Sequence, residues 1–173
     1  MRFIHLSFAA IAFLAAPAFA ASTWNWSYSG SGYTASGTFT TVDTPDMNGG
    51  YLITGITGDQ NGDAITGLYA AGTAIPGNDG YPVDNLVFAS GPQLSGNGFG
   101  FVTTSGVNAN PFYADFTTPA GYLSFESKGS SGTDTSELPI SFSATLVSTP
   151  EPATFGLLLG ALALTAIIVC PSR

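Results

Sequence analysis

Carboxylates are the main groups in this chain with the potential for acid–base chemistry. The segment from Ala21 to Thr149 holds ten of them and one lysine, with no histidine, cysteine or arginine. Asp115 and Glu126 fall in predicted strands and are the candidate acid and base for glycoside hydrolysis, which needs two carboxyl groups across one bond. Asp115 alternates with apolar neighbours, which favours solvent-facing positions for this pair. We therefore expect a non-enzymatic protein with no catalytic residues.

A serine nucleophile would need a base beside it, and Lys128 is the only candidate in the segment. It lies next to Ser127 and shortly before Ser130 and Ser131. The surrounding Gly-Ser-rich sequence is typical of a turn, so we predict a solvated loop lysine instead.

Asp59, Asn61 and Asp63 have the alternating spacing of oxygen ligands that begins a calcium loop. An EF-hand would continue with glycine at 64 and glutamate at 70, where this chain has Ala64 and Ala70. Asn61-Gly62 favours the positive φ angles of a tight hairpin turn. We predict a plain hairpin, with no metal and no cofactor.

Trp24, Trp26 and Tyr28 occupy alternate positions and share one face of a predicted strand. Aromatic stripes at this period usually face the core. If the face were exposed, the same rings would form a platform for sugar stacking. Both interpretations follow from the spacing.

Period-two alternation extends through the segment 21–147 and predicts one antiparallel all-β domain. The clearest strand runs from Leu138 to Leu146. About nine short strands at even spacing indicate a sandwich or a barrel. They are predicted at 24–28, 33–39, 51–57, 64–69, 85–89, 98–103, 112–117, 122–127 and 138–146.

The charge of the segment 21–149 is −9, because ten carboxylates face one lysine. Such a surface repels phosphate backbones, so we expect no nucleic-acid partner. The charge also keeps a protein soluble, which is its simplest explanation.

Residues 1–20 have the features of a secretory signal peptide. Arg2 provides the positive start, an apolar stretch follows, and Ala18-Phe19-Ala20 is a small-x-small cleavage site. We predict cleavage by signal peptidase after Ala20, with an uncleaved membrane anchor as the alternative.

Residues 148–173 form a distinct tail. Pro150-Glu151-Pro152 interrupts the chain, and an uncharged apolar run then covers 155–170. As a helix this run is about 24 Å long, slightly short for a hydrocarbon core of about 30 Å. We predict a transmembrane helix over 155–170; a core helix of the domain is the alternative, which the apolar character on all sides disfavours.

This tail resembles the sorting signal of the PEP-CTERM proteins of Gram-negative bacteria. The match is Pro150, Glu151 and Pro152, then the apolar run, over the last 24 residues together with the leader. The several arginines usual at the end are reduced here to Arg173. A glycolipid-anchor signal has a similar outline, but the polar spacer is nearly absent.

The resemblance implies export, anchoring in the inner membrane through the tail, cleavage near the motif by the membrane protease exosortase, and release at the cell surface or outside the cell. It also implies an association with extracellular polysaccharide. We therefore expect an exported surface or matrix protein; a carbohydrate-binding module on the same route is the alternative.

Overall fold

The computed structural model describes residues 21–148, so the predicted leader and nearly all of the predicted tail lie outside the described residues. The described part holds nine strands, and all nine predicted strands are found. They are Ser22–Gly30 (β1), Thr34–Thr41 (β2), Gly50–Gln60 (β3), Asp63–Leu68 (β4), Leu86–Phe88 (β5), Phe101–Thr103 (β6), Val107–Ala114 (β7), Gly121–Lys128 (β8) and Thr133–Ser148 (β9).

Eight of these strands close into an antiparallel barrel. Their order is β2-β1-β9-β8-β7-β6-β4-β3, and pairing between β2 and β3 completes the ring. β5 is an additional strand that pairs with β3. The all-β prediction is confirmed, and the architecture is the barrel rather than the sandwich. Closure leaves no open sheet edge in the ring, which removes a common site of aggregation.

Two glycines allow β2 and β3 to pair closely where the barrel closes. Gly37 lies opposite Gly58 in the register. A Cβ on Gly37 would lie 1.8 Å from the Thr57 carbonyl oxygen, and one on Gly58 would lie 2.0 Å from that of Ser36. No side chain fits at either position, so glycine is required at this contact.

The turn between β3 and β4 is the predicted hairpin. Asn61 and Gly62 have φ angles of 52° and 80°, the positive values of a type I′ turn. Asp59 pairs with Ala64 and Gln60 with Asp63 on either side of it.

Aromatic side chains fill the barrel. Trp26 stacks on Phe39 with centroids 5.1 Å apart and packs edge-on against Phe99. Trp24, Trp26 and Tyr28 are 1%, 3% and 3% exposed. Their rings are covered on both faces, so the hypothesis that they form a sugar-stacking platform is wrong, and their interpretation as core residues is right.

A long connection, residues 69–100, leaves β4, contributes β5 and returns to β6. Near Pro76 and Asn78 it bonds to side chains on the outer face of β8 and β7, whereas its Val87, Leu94 and Phe99 belong to the same core cluster as the tryptophans. Buried amides fasten it: Asn85 Nδ2 donates to the Tyr69 carbonyl at 2.7 Å, and Asn110 Nδ2 donates to the Phe99 carbonyl at 3.1 Å. In the described range 21–148 we find no helix long and apolar enough to cross a membrane.

Candidate functional site

The proposed carboxylate pair is separated in the barrel. Glu126 lies opposite Ala109 in the pairing of β7 with β8, whereas Asp115 follows the end of β7. Six residues of extended chain span about 20 Å, well beyond the separation of about 5–9.5 Å used in glycoside hydrolysis. Asp115 is exposed as predicted, but the solvent-facing prediction for Glu126 is wrong, because this side chain is only 7% exposed.

Glu126 projects into the polar end of the barrel interior, a location that the sequence reasoning missed. The Gln60 side-chain amide donates a hydrogen bond to its carboxyl group. The hydroxyls of Tyr28 and Ser124 are also buried here, close to the Glu126 carboxyl group. Burial raises the pKa of Glu126 from 4.5 to about 7, and the Gln60 hydrogen bond offsets part of that rise.

Lys128 and Ser127 point to different partners. The Lys128 ammonium lies 4.0 Å from the Asp134 carboxylate at an exposed position. The buried Ser127 hydroxyl donates to the Pro76 carbonyl and accepts a hydrogen bond from Asn108 at 3.1 Å. The predicted exposure of Lys128 is confirmed, but the loop placement is wrong, because Lys128 is the last residue of β8 and pairs with Val107 and Thr133. Ser127 serves to hold the outer connection.

The oxygens of the Asp59 loop do not converge. Asn61 Oδ1 accepts from the Thr34 backbone amide at 2.9 Å, and Asp63 accepts from the Ser105 amide at 3.0 Å. Asp59 accepts from the Gly62 amide at 3.2 Å within its own turn. Between residues 21 and 148, no cluster of three acidic, histidine or cysteine side chains is arranged to hold a metal ion.

A groove of about 720 Å³ lies on the outer surface of the barrel, between the connection 69–100 and strands β7, β8 and β9. It contains aromatic rings, side-chain amides and two carboxylates. The lining residues are Asn78, Tyr81, Gly96, Asn97, Asn110, Phe112, Asp115, Phe116, Phe125 and Glu137.

Two aromatic side chains in this groove are open to solvent. Tyr81 is 67% exposed and Phe116 is 72% exposed. Phe112 packs beside Phe116, with ring centroids 6.5 Å apart and planes tilted by 25°, so the outer ring has an aromatic neighbour on one side. Solvent-exposed aromatic rings offer an apolar face on which a ligand can stack.

The groove wall is preorganised by an amide network. Asn78 Nδ2 donates to Asn110 Oδ1 at 3.1 Å, and Asn110 Nδ2 donates to the Asn97 carbonyl at 3.0 Å. Asn110 is 2% exposed and joins β7 to the outer connection. Because this buried amide is fully bonded, the wall keeps its shape when no ligand is bound.

A second depression, of about 450 Å³, lies over the outer face of β1 and β2. Its lining is mainly serine and threonine hydroxyls, and the aromatic rings below them, Tyr28 and Phe142, are buried. Binding through hydroxyls alone replaces hydrogen bonds to water by hydrogen bonds to the ligand, with little net gain in free energy. The aromatic groove is therefore the stronger candidate.

The chain matches no protein-family model, no curated protein and no solved structure. The groove must therefore be interpreted from its own chemistry.

The predicted processing sites are not part of the described barrel. Ala18 and Ala20 precede it, and Pro150, Glu151 and Pro152 follow it, all outside the described residues. Trp24, Trp26 and Tyr28 are not near solvent, and the exposed aromatics Tyr81 and Phe116 come instead from the connection 69–100 and the turn after β7. Neither segment has the periodicity that would have singled these residues out.

Proposed function

We propose that this chain is an exported, non-enzymatic protein of the cell surface or extracellular matrix, and that its barrel binds extracellular polysaccharide in the aromatic groove. The observation that carries the proposal is the pair of exposed rings, Tyr81 and Phe116, beside fixed amides and carboxylates.

Sugars suit this combination because each has an apolar C–H face and an edge of hydroxyls. An aromatic ring covers the C–H face, while amide and carboxylate groups bond the hydroxyls and fix orientation. Asn97 and Glu137 line the same groove as the rings and supply such groups. The groove is partly open to solvent, so a sugar chain can enter it from the surface.

The export route rests on the sequence. The small-x-small site at Ala18 and Ala20 is the expected substrate of signal peptidase, and Pro150-Glu151-Pro152 with the apolar run 155–170 is the expected exosortase signal. On this route the tail holds the protein at the inner membrane in transit, and the barrel is then delivered to the surface or the matrix.

A non-enzymatic role is supported by the positions of the acidic groups. Glu126 faces the barrel interior beside Gln60, while Asp115 borders the outer groove. The two carboxylates thus lie on different sides of the sheet and share no substrate position. The net charge of −9 between residues 21 and 149 also disfavours a nucleic-acid partner.

The test is electrophoresis of the purified mature protein through gels that contain neutral polysaccharides. We expect retardation by at least one polysaccharide, and Tyr81→Ala or Phe116→Ala should each weaken the binding by about ten-fold through loss of a stacking surface. Met47→Ala is the matched control, since Met47 is a fully exposed apolar side chain outside the groove.

Binding that survives both groove substitutions would place the site elsewhere on the barrel. No retardation by any polysaccharide in a broad panel would refute the glycan-binding proposal.

A further inference from the structure

The charge of the groove distinguishes between classes of polysaccharide. Asp115 and Glu137 line it, and no cationic side chain does. Lys128 is the only lysine between residues 21 and 149, and it lies beside Asp134, outside the groove. A ligand in the groove therefore meets negative charge with no compensating positive group from the wall.

The two carboxylates are placed far apart along the groove. Asn110 lies opposite Phe125, and Phe125 lies opposite Glu137. The strand from Asn110 to Ala114 spans about 13 Å, and Asp115 begins the turn beyond it, so the two carboxylates lie at different points along the groove. Carboxylates spaced in this way contact different sugar residues of one chain rather than a single group.

We propose that the groove selects a polysaccharide that carries free amino groups, a cationic amino-sugar chain. This rests on the proposed function, that the groove binds glycan. Tyr81 and Phe116 cover the sugar faces, and Asp115 and Glu137 accept charge-assisted hydrogen bonds from the ammonium groups. Uronic acid or sulfated chains are repelled by the same carboxylates and by the acidic domain around them.

A neutral glycan is the alternative ligand, because a carboxylate also accepts hydrogen bonds from hydroxyls. The two ligands differ in salt dependence. Attraction between exposed opposite charges is screened over about 10 Å at 0.1 M salt, whereas stacking and neutral hydrogen bonds are not.

The experiment measures binding of the mature protein, by calorimetry at pH 6, to glucosamine oligosaccharides and to N-acetylglucosamine oligosaccharides of equal length. Polygalacturonate serves as the anionic probe. We expect about ten-fold tighter binding of the amine form at low salt, loss of that preference at 0.5 M salt, and no binding of polygalacturonate.

Two double variants test whether the preference for the amine form comes from the carboxylates of the groove or from the net charge. Asp115→Asn with Glu137→Gln should remove the preference for the amine form, because it weakens binding of that form about ten-fold more than binding of the N-acetyl form. Asp43→Asn with Asp134→Asn changes the net charge equally outside the groove and should keep the preference. Asparagine at 134 suits the local backbone, whose φ is 52°.

The measurements test the preference for amino sugars and glycan binding itself separately. Equal affinity for the amine and N-acetyl forms would overturn the amino-sugar inference and leave glycan binding intact. Equal loss of preference in both double variants would also overturn it, since net charge rather than the groove would then attract the ligand. No binding of either oligosaccharide, or of any neutral polysaccharide, would refute the proposed function itself.

Discussion

Replacing Glu126 by glutamine should abolish most of the pH dependence of folding stability. Glu126 is buried within the barrel, and its one hydrogen-bond donor among the described residues is the neutral Gln60 amide. An ionised carboxylate in that position loses its hydration without gaining a positive partner. Burial therefore raises the pKa of Glu126 to about 7, and the protonated form is the one that the folded barrel prefers.

The sign and size of the effect follow from linkage. The folded pKa lies above the ordinary value of 4.5, so the stabilisation is complete below about pH 4.5 and is lost as the pH rises through 7. A shift from 4.5 to about 7 corresponds to about 3 kcal/mol of unfolding free energy. Burial also raises the pKa of Asp84, so a smaller slope of the same sign remains in the variant.

Urea unfolding of the mature protein between pH 4 and pH 9 measures this effect. The two tryptophans of the chain, Trp24 and Trp26, are both in the core and report unfolding by fluorescence. The wild-type unfolding free energy should fall by about 3 kcal/mol from pH 4 to pH 8, whereas Glu126→Gln should lose most of that fall. Glu137→Gln removes the same charge from an exposed position and should keep the wild-type slope.

Two results would contradict the buried, protonated state of Glu126: parallel pH profiles for Glu126→Gln and wild type, or a wild-type stability that increases between pH 5 and pH 7. Either result would mean that the ionised Glu126 side chain is well solvated in the folded barrel.

Three further predictions concern the outer connection, the hairpin and the tail. Gly77→Ala should lower the unfolding free energy by about 1–3 kcal/mol more than Gly72→Ala in urea titrations. Both glycines have positive φ, but only at Gly77 would a Cβ meet the barrel, 2.6 Å from the Gly132 carbonyl oxygen; equal losses would refute the contact. Calcium at 1 mM should leave the melting temperature unchanged, and a clear rise would show a bound ion. Protein from the native host should end near residues 150–154 by intact mass, whereas a membrane-bound form ending at Arg173, with exosortase present, would identify a permanent anchor.

The strands were predictable because alternation of apolar and polar residues reports which face of a strand is buried. β9 shows this most clearly, with Ile140, Phe142 and Ala144 buried between exposed Ser141 and Ser143. The choice between barrel and sandwich was not predictable, because it depends on whether β2 pairs with the distant β3. That pairing needs Gly37 opposite Gly58, a relation that no local pattern contains.

β7 was predicted at 112–117, but it covers Val107–Ala114. The strand begins earlier, at two polar residues, Asn108 and Asn110, and a proline, Pro111, which are not typical of a strand. Both asparagines are buried because the connection 69–100 covers this face of the strand. The Tyr69 hydroxyl donates to Asn108 Oδ1, and Asn78 Nδ2 donates to Asn110 Oδ1. The polar face was therefore an internal interface, which a sequence pattern cannot distinguish from a solvated one.

The groove could not be predicted either. Tyr81 and Phe116 lie in irregular segments, and Glu137 joins them through the pairing of β9 with β8 and of β8 with β7. The sequence did show exposed carboxylates and many aromatics, but not which aromatics remain outside the core.

Amide NMR spectra of the mature protein, recorded during titration with a polysaccharide that retards it in gels, locate the bound glycan on the barrel. If the groove binds glycan, saturable shifts centre on Tyr81, Asn97 and Phe116, and the outer face of β1 and β2 is unchanged. Shifts confined to β1 and β2, or an unperturbed groove at saturating ligand, would contradict glycan binding in the groove.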